Sequence, residues 1–107
     1  MNIEALEKMI ARGQDSAMLR LTLGNAYAKA GDAEAAIGHL RQAVALDPGY
    51  SAAWRALGRL QLRGGDEAAA LETFRQGLAA AREKGDMQVV RELEVRVRRL
   101  EGKSRDE

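Results

Sequence analysis

Catalysis needs a nucleophile, a base or a metal held within reach of one another, and this chain supplies few such residues. His39 is the sole histidine and cysteine is absent. Ser16, Ser51 and Ser104 have no base in a recognisable arrangement, and the first two stand where helix N-caps are expected. A metal site would need carboxylates alone, and no calcium-loop pattern occurs. Gly64-Gly65 reads as a break between helices rather than a phosphate loop. His39, opposite or flanking Leu40, reads as a surface residue. The expectation is a non-enzyme with no cofactor and no metal.

A cationic signal is stronger. At helical spacing Met18, Leu21, Asn25, Ala28 and Lys29 share one face. Ala52, Arg55, Arg59, Leu62 and Arg63 share the equivalent face of a later segment. Guanidinium groups grip carboxylates bidentately, and Met and Leu beside them accept apolar side chains. The matching ligand is an acidic peptide, a C-terminal carboxylate or the acidic-apolar face of a partner helix. A merely solvated helix face would use the same cations, but contiguous exposed apolar residues favour a contact surface.

Helices must carry these faces. Of the residues, 46% are apolar but only 4% aromatic, and there is one Pro. Interiors built from Ala and Leu suit closely approaching helices. The sequence repeats at a period of 34: Thr22-Leu23-Gly24 returns as Ala56-Leu57-Gly58, Gly31-Asp32 as Gly65-Asp66, Ala35-Ala36 as Ala69-Ala70, and Arg41-Gln42 as Arg75-Gln76. Such a period means stacked helical hairpins, each unable to bury its apolar face alone. Gly-Asp and Gly-Gly breaks, and the Asp47-Pro48-Gly49 turn, divide the chain into about six helices. One domain is expected over 1–107. It holds an N-terminal capping helix (2–12), one repeat over 17–50, a second over 51–84, a C-terminal capping helix (86–101) and a frayed tail (102–107). The first helix is in phase with the repeats, since Ile3, Leu6 and Ile10 match Ile37, Leu40 and Val44, and then Leu71, Phe74 and Leu78.

The net charge is +1, from 17 basic and 16 acidic residues, so no global basic field awaits nucleic acid or a membrane surface. Arg91, Arg96, Arg98 and Arg99 are offset by Glu92, Glu94 and Glu101, with no aromatic residue to stack on a base. Neither a secretory leader nor a bilayer span is evident, so a cytoplasmic location is expected.

These residues resemble the tetratricopeptide repeat family. Its hairpin carries Trp, Leu-Gly and Tyr in the first helix, then Ala, Phe and Pro. The second repeat supplies Trp54, Leu57, Gly58, Ala70 and Phe74 at matching spacings, with Gln61 and Arg82 at the Tyr and Pro positions. The first supplies Leu23, Gly24, Tyr27, Ala36 and Pro48, with Arg20 and Leu40 at the Trp and Phe positions. The sixth helix departs, placing Arg91 and Glu92 at Leu-Gly. The resemblance implies an all-α, right-handed stack of antiparallel helical hairpins, in which small residues permit close helix approach and aromatic residues fill wider gaps. It further implies peptide binding in a groove lined by the first helix of each hairpin: Met18, Leu21, Asn25, Lys29, Arg55, Arg59, Leu62 and Arg63. Chaperone-binding members hold a terminal carboxylate in a Lys-Asn-Arg clamp. Asn25 fits one place in it, but Leu21 and Ala56 stand where a Lys and a second Asn would, so that specific clamp is not expected. The expected function is a small, non-catalytic protein- or peptide-binding adaptor with an acidic partner. The first alternative is a homo-oligomer (a homodimer, for example) in which the groove or the last helix meets a second copy. Within one chain, the apolar sixth helix could instead fold across the groove mouth. The lower alternative is nucleic-acid binding through the Arg-rich sixth helix.

Overall fold

The computed structural model describes residues 2–106, with side chains to 103. The side chain of Ser104, and Met1 and Glu107, lie outside the described residues. Six helices follow in order: α1 (Ile3–Ala11), α2 (Ala17–Lys29), α3 (Ala33–Leu46), α4 (Ser51–Arg63), α5 (Glu67–Lys84) and α6 (Met87–Asp106). Helices α2 and α3 form one antiparallel hairpin and α4 and α5 the next; α1 leans on α2, and α6 lies along α5 and touches α4. The right-handed stack measures 47 × 29 × 18 Å.

Local chemistry sets the helix starts. Asn2, Ser16, Asp32 and Asp66 each accept the backbone N–H three residues on, at 2.7 to 3.1 Å. The reverse turns between paired helices pass through Gly31 (φ 86°) and Gly65 (φ 87°), a backbone state costly for any side chain with a Cβ. Ser51 is not a cap. Tyr50 holds that place without a side-chain bond, and Ser51 is buried, donating toward Asp86 at 3.5 Å. The preceding turn is fixed instead by Asp47, whose carboxylate accepts from the Gly49 N–H at 3.0 Å, and by Trp54, whose indole N–H donates to the Pro48 carbonyl at 2.7 Å. Helix α6 continues through Gly102 to Asp106, where the sequence pointed to a frayed tail. Gly102 is followed by Lys103 rather than a capping residue, and Lys103 bonds Glu67 at 2.7 Å, tying the last turns to the start of α5.

Close approach within each hairpin depends on glycine. A Cβ on Gly24 would lie 2.8 Å from Leu40, and one on Gly58 would lie 2.4 Å from the Phe74 ring. Gly77 does the same between α5 and α4, where a Cβ would meet that of Trp54 at 2.7 Å. Two apolar clusters result, one around Leu40, Ala53 and Leu57, the other around Phe74, Leu78, Val90 and Leu93. Trp54 is half-buried at the edge of the first rather than enclosed. Gln61 is buried where the family pattern has Tyr, and it accepts from the Thr73 hydroxyl at 2.6 Å, so this pair leaves no orphaned side-chain donor between α4 and α5. Leu6, Leu40 and Phe74, equivalent by phase, are 1%, 0% and 0% exposed. Helix α1 thus covers the open end of the first hairpin as another hairpin's second helix would.

Candidate functional site

Helix α4 lies between α2 and α6 and touches both. Asn25 and Lys29 are exposed and border a cleft with Thr22, Ala26, Ala28 and Arg63. Arg63 also borders a second cleft with Arg59, Leu62 and Arg96, and a third with Ala28, Gly31, Ala33, Leu60 and Gly64. The structure therefore brings Asn25, Lys29, Arg59, Leu62 and Arg63 around connected depressions. It adds Arg96, which sequence reasoning had assigned to a charge-balanced surface.

The apolar part of the stripe is mostly internal. Leu21 is half-buried against the α3–α4 cluster and Leu62 against the α5–α6 cluster, leaving Met18, 69% exposed, as the accessible apolar side chain. A helical wheel shows which residues share a face but not where packing ends and groove begins. Helix α6 covers part of α4 on this face, packing against Leu62 and facing Arg55 and Arg59 with Glu92, and it makes no close backbone approach to α2.

Electrostatics divide the cations into two groups. Arg55 and Arg59 both face Glu92 of α6. Arg59 donates to its two oxygens at 3.3 and 3.4 Å, and Arg55 stands 3.8 Å away. Lys29 and Arg63 have no ion-pair partner among the described residues, and Arg96 has only the face of the Phe74 ring, 5.5 Å from its centroid. The other acidic side chains described on α6 are also turned to the stack: Glu94 to Arg82 at 2.9 Å and Glu101 to Arg75 at 2.8 Å. Arg91, Arg98 and Arg99 remain exposed and without an ion-pair partner among the described residues.

A second polar assembly lies at the other end of the stack. Arg20, in the family's Trp position, donates to both oxygens of Asp15 at 2.8 and 2.9 Å and to Nδ1 of His39 at 3.0 Å. The His39 ring stacks on Tyr27 with centroids 5.4 Å apart, and Tyr27 donates its hydroxyl to Glu7 of α1. His39 is thus half-buried inside a seam rather than a free surface residue. Partial burial, then the adjacent Arg20, lower its pKa; the Arg20 hydrogen bond lowers that of Asp15, and the bond to Glu7 raises that of Tyr27. A guanidinium donating to Nδ1 keeps that nitrogen unprotonated, so this imidazole serves as a structural acceptor. Among the described residues no group of three or more His, Asp or Glu is placed to hold a metal. No helix among them is long and apolar enough to cross a membrane.

Comparison with known proteins places this geometry in context. Two family models, both described as tetratricopeptide repeat, match residues 28–91 and 3–51. The chain is 48% identical over 101 residues to a TPR repeat-containing protein of Pseudomonas aeruginosa, covering 94% of this chain and 96% of that one. Among solved structures it is similar to a Bordetella parapertussis protein solved in solution, at 48% identity and a TM-score of 0.77, with 94% of this chain and 88% of that chain covered. The TPR2B domain of yeast Sti1, solved in complex with pHsp70, shares the fold at 23% identity and a TM-score of 0.82, covering 94% and 81% of the two chains.

Proposed function

The chain belongs to the tetratricopeptide repeat family, and from that premise we propose that it is a non-catalytic binding module whose α2–α4–α6 face receives an acidic segment of a partner protein. Repeat stacks of this kind offer a long surface with no need of a chemical centre, and their specificity resides in the side chains along it. The observation that carries the acidic ligand is the convergence of clefts on Arg63, flanked by Lys29 and Arg96, none of which has an internal counterion among the described residues. Unpaired guanidinium groups bordering a depression are ready carboxylate receptors. Asn25 adds a neutral donor beside them.

Affinity capture with the wild type and an Arg63→Glu variant tests the proposal. Arg63 is exposed and outside both apolar clusters, so the variant keeps its helicity. Reversing its charge is expected to remove most of the captured material. Equal capture by two equally helical proteins refutes an acidic ligand on this face.

One observation favours self-association as a second reading. Met87 and Val95, 54% and 43% exposed, lie on the outward side of α6. Sedimentation at micromolar concentration separates the two. A dimer abolished by Val95→Lys supports pairing through α6, whereas a monomer leaves the groove as the sole contact surface proposed.

A further inference from the structure

We infer that Glu92 is a built-in occupant of an anion subsite formed by Arg55 and Arg59, standing where a carboxylate of the acidic ligand would sit and competing with it. The inference rests on the acidic-ligand reading above and concerns how that face selects its ligand.

Arg55 and Arg59 are one helical turn apart, and both are directed at one carboxylate. Two guanidinium groups on one side chain leave cationic donors over. Arg63 and Arg96, bordering the same cleft as Arg59, add two more with no carboxylate opposite them. The patch is therefore short of negative charge even with Glu92 in place. The contacts to Glu92 are also the loosest that α6 makes. They measure 3.3, 3.4 and 3.8 Å, whereas the pairs made by Glu94, Glu101 and Lys103 on the same helix measure 2.9, 2.8 and 2.7 Å. Charge-assisted hydrogen bonds of full strength fall near the shorter values. Glu92 and its two partners are partly exposed, at 32% to 43% of their side-chain surface, so solvent and ligand both reach them. An exposed pair with long contacts contributes little to stability. A ligand carboxylate that displaces Glu92 therefore gives up little of the fold and gains two donors already held on one helix. The consequence is selection. A segment with a single acidic residue is accommodated at Arg63 and Arg96, while one with a second carboxylate at the matching distance also opens the Arg55–Arg59 subsite.

The test uses a short fluorescein-labelled peptide of alternating glutamate and leucine, read by anisotropy at low and moderate salt, with lysine replacing glutamate as control. Glu92→Gln keeps the side-chain shape and removes the competing charge. It is expected to bind the acidic peptide about twofold to fivefold more tightly than the wild type, the equivalent of one exposed ion pair transferred to the ligand. The gain should vanish when Glu92→Gln is combined with Arg55→Gln and Arg59→Gln. Circular dichroism of each variant verifies the fold. Wild-type binding that Glu92→Gln leaves unchanged or weakens overturns the inference while sparing the acidic-ligand reading. A gain that persists without the two arginines overturns it as well, because the effect is then one of general charge. Salt-dependent binding by none of the proteins overturns both.

Discussion

Replacing Gly58 with alanine probes the close approach that closes the second hairpin. The new methyl carbon would lie 2.4, 2.6 and 2.8 Å from three ring carbons of Phe74, far inside ordinary van der Waals contact. Phe74 is 0% exposed, so the ring has no solvent to swing into. Either it leaves its rotamer, with Leu78 and Leu93 displaced, or α4 and α5 move apart. Overpacking of this kind costs about 1–3 kcal/mol, and the shortness of these contacts puts the variant near the upper end. Alanine returns about 1 kcal/mol through its better helix propensity. The net loss is about 2 kcal/mol, which at a urea dependence of roughly 1–2 kcal/mol per molar lowers the midpoint by about 1–2 M. Gly38 supplies the control. It is also interior to a helix, α3, but a Cβ there meets nothing within 4 Å. Gly38→Ala keeps the propensity gain without the collision and is expected to stabilise the fold by about 0.5–1 kcal/mol. Urea titrations followed by circular dichroism compare the three proteins. If Gly58→Ala is as stable as Gly38→Ala, the space opposite Phe74 is not what this glycine provides, and the packing account fails.

Phe74→Ala removes the largest fully buried side chain and is expected to cost about 3–5 kcal/mol; a thermal melt like the wild type's would contradict its role. Leu6 is the one fully enclosed residue of α1, so Leu6→Ala should speed amide exchange in α1 while α3 to α5 stay protected. Equal protection of α1 in both proteins would show that the Tyr27–Glu7 bond suffices to hold it. The His39 imidazole titrates below its ordinary value of 6.5, so the unfolded chain takes up this proton at a higher pH than the folded one. Its contribution is complete above pH 6.5 and is lost as pH falls from there through the folded value. Melts at about pH 7.5 and about pH 5.5 should show lower stability in acid, and His39→Gln should narrow the difference. An undiminished difference would assign the acid sensitivity elsewhere.

The fold was legible because its determinants are local or periodic. The Leu-Gly pairs, the Asp residues after each break and the matching phase of Ile3, Leu6 and Ile10 all act within one helix or recur at a fixed interval. Family membership followed from the same residues. The details of the site were less legible, for tertiary reasons. Arg59 meets Glu92 33 residues on, one short of the period. Helix α5 runs four residues past the point where α3 stops and enters α6 through Gly85, without the Asp47-Pro48-Gly49 turn. A strict period puts Glu92 at the Gly position, where it counts as a departure from the repeat, and gives no reason to join Arg96 to the cations of α4. Leu21 and Leu62 are half-buried at the core edge, and Leu62 also borders a cleft, so a wheel angle alone does not divide packing from groove. Ser51 has a capping residue's chemistry, but Tyr50 begins the helix and the hydroxyl is taken by Asp86. The contacts of His39 with Arg20 and Tyr27 join different helices, and no short-range pattern announces them.

The inward turn of every acidic side chain described on α6 has a kinetic meaning. By its totals the molecule is almost neutral and ought to approach any partner indifferently. Yet a diffusing polyanion would sense Arg91, Arg98 and Arg99 before it senses the glutamates behind them, and would be drawn to this end of the stack. Added salt should then slow the rate of encounter much more than it shortens the life of the complex. Two chains with the same amino-acid inventory, one with those glutamates facing out, would share an isoelectric point and differ in how fast they find what they bind.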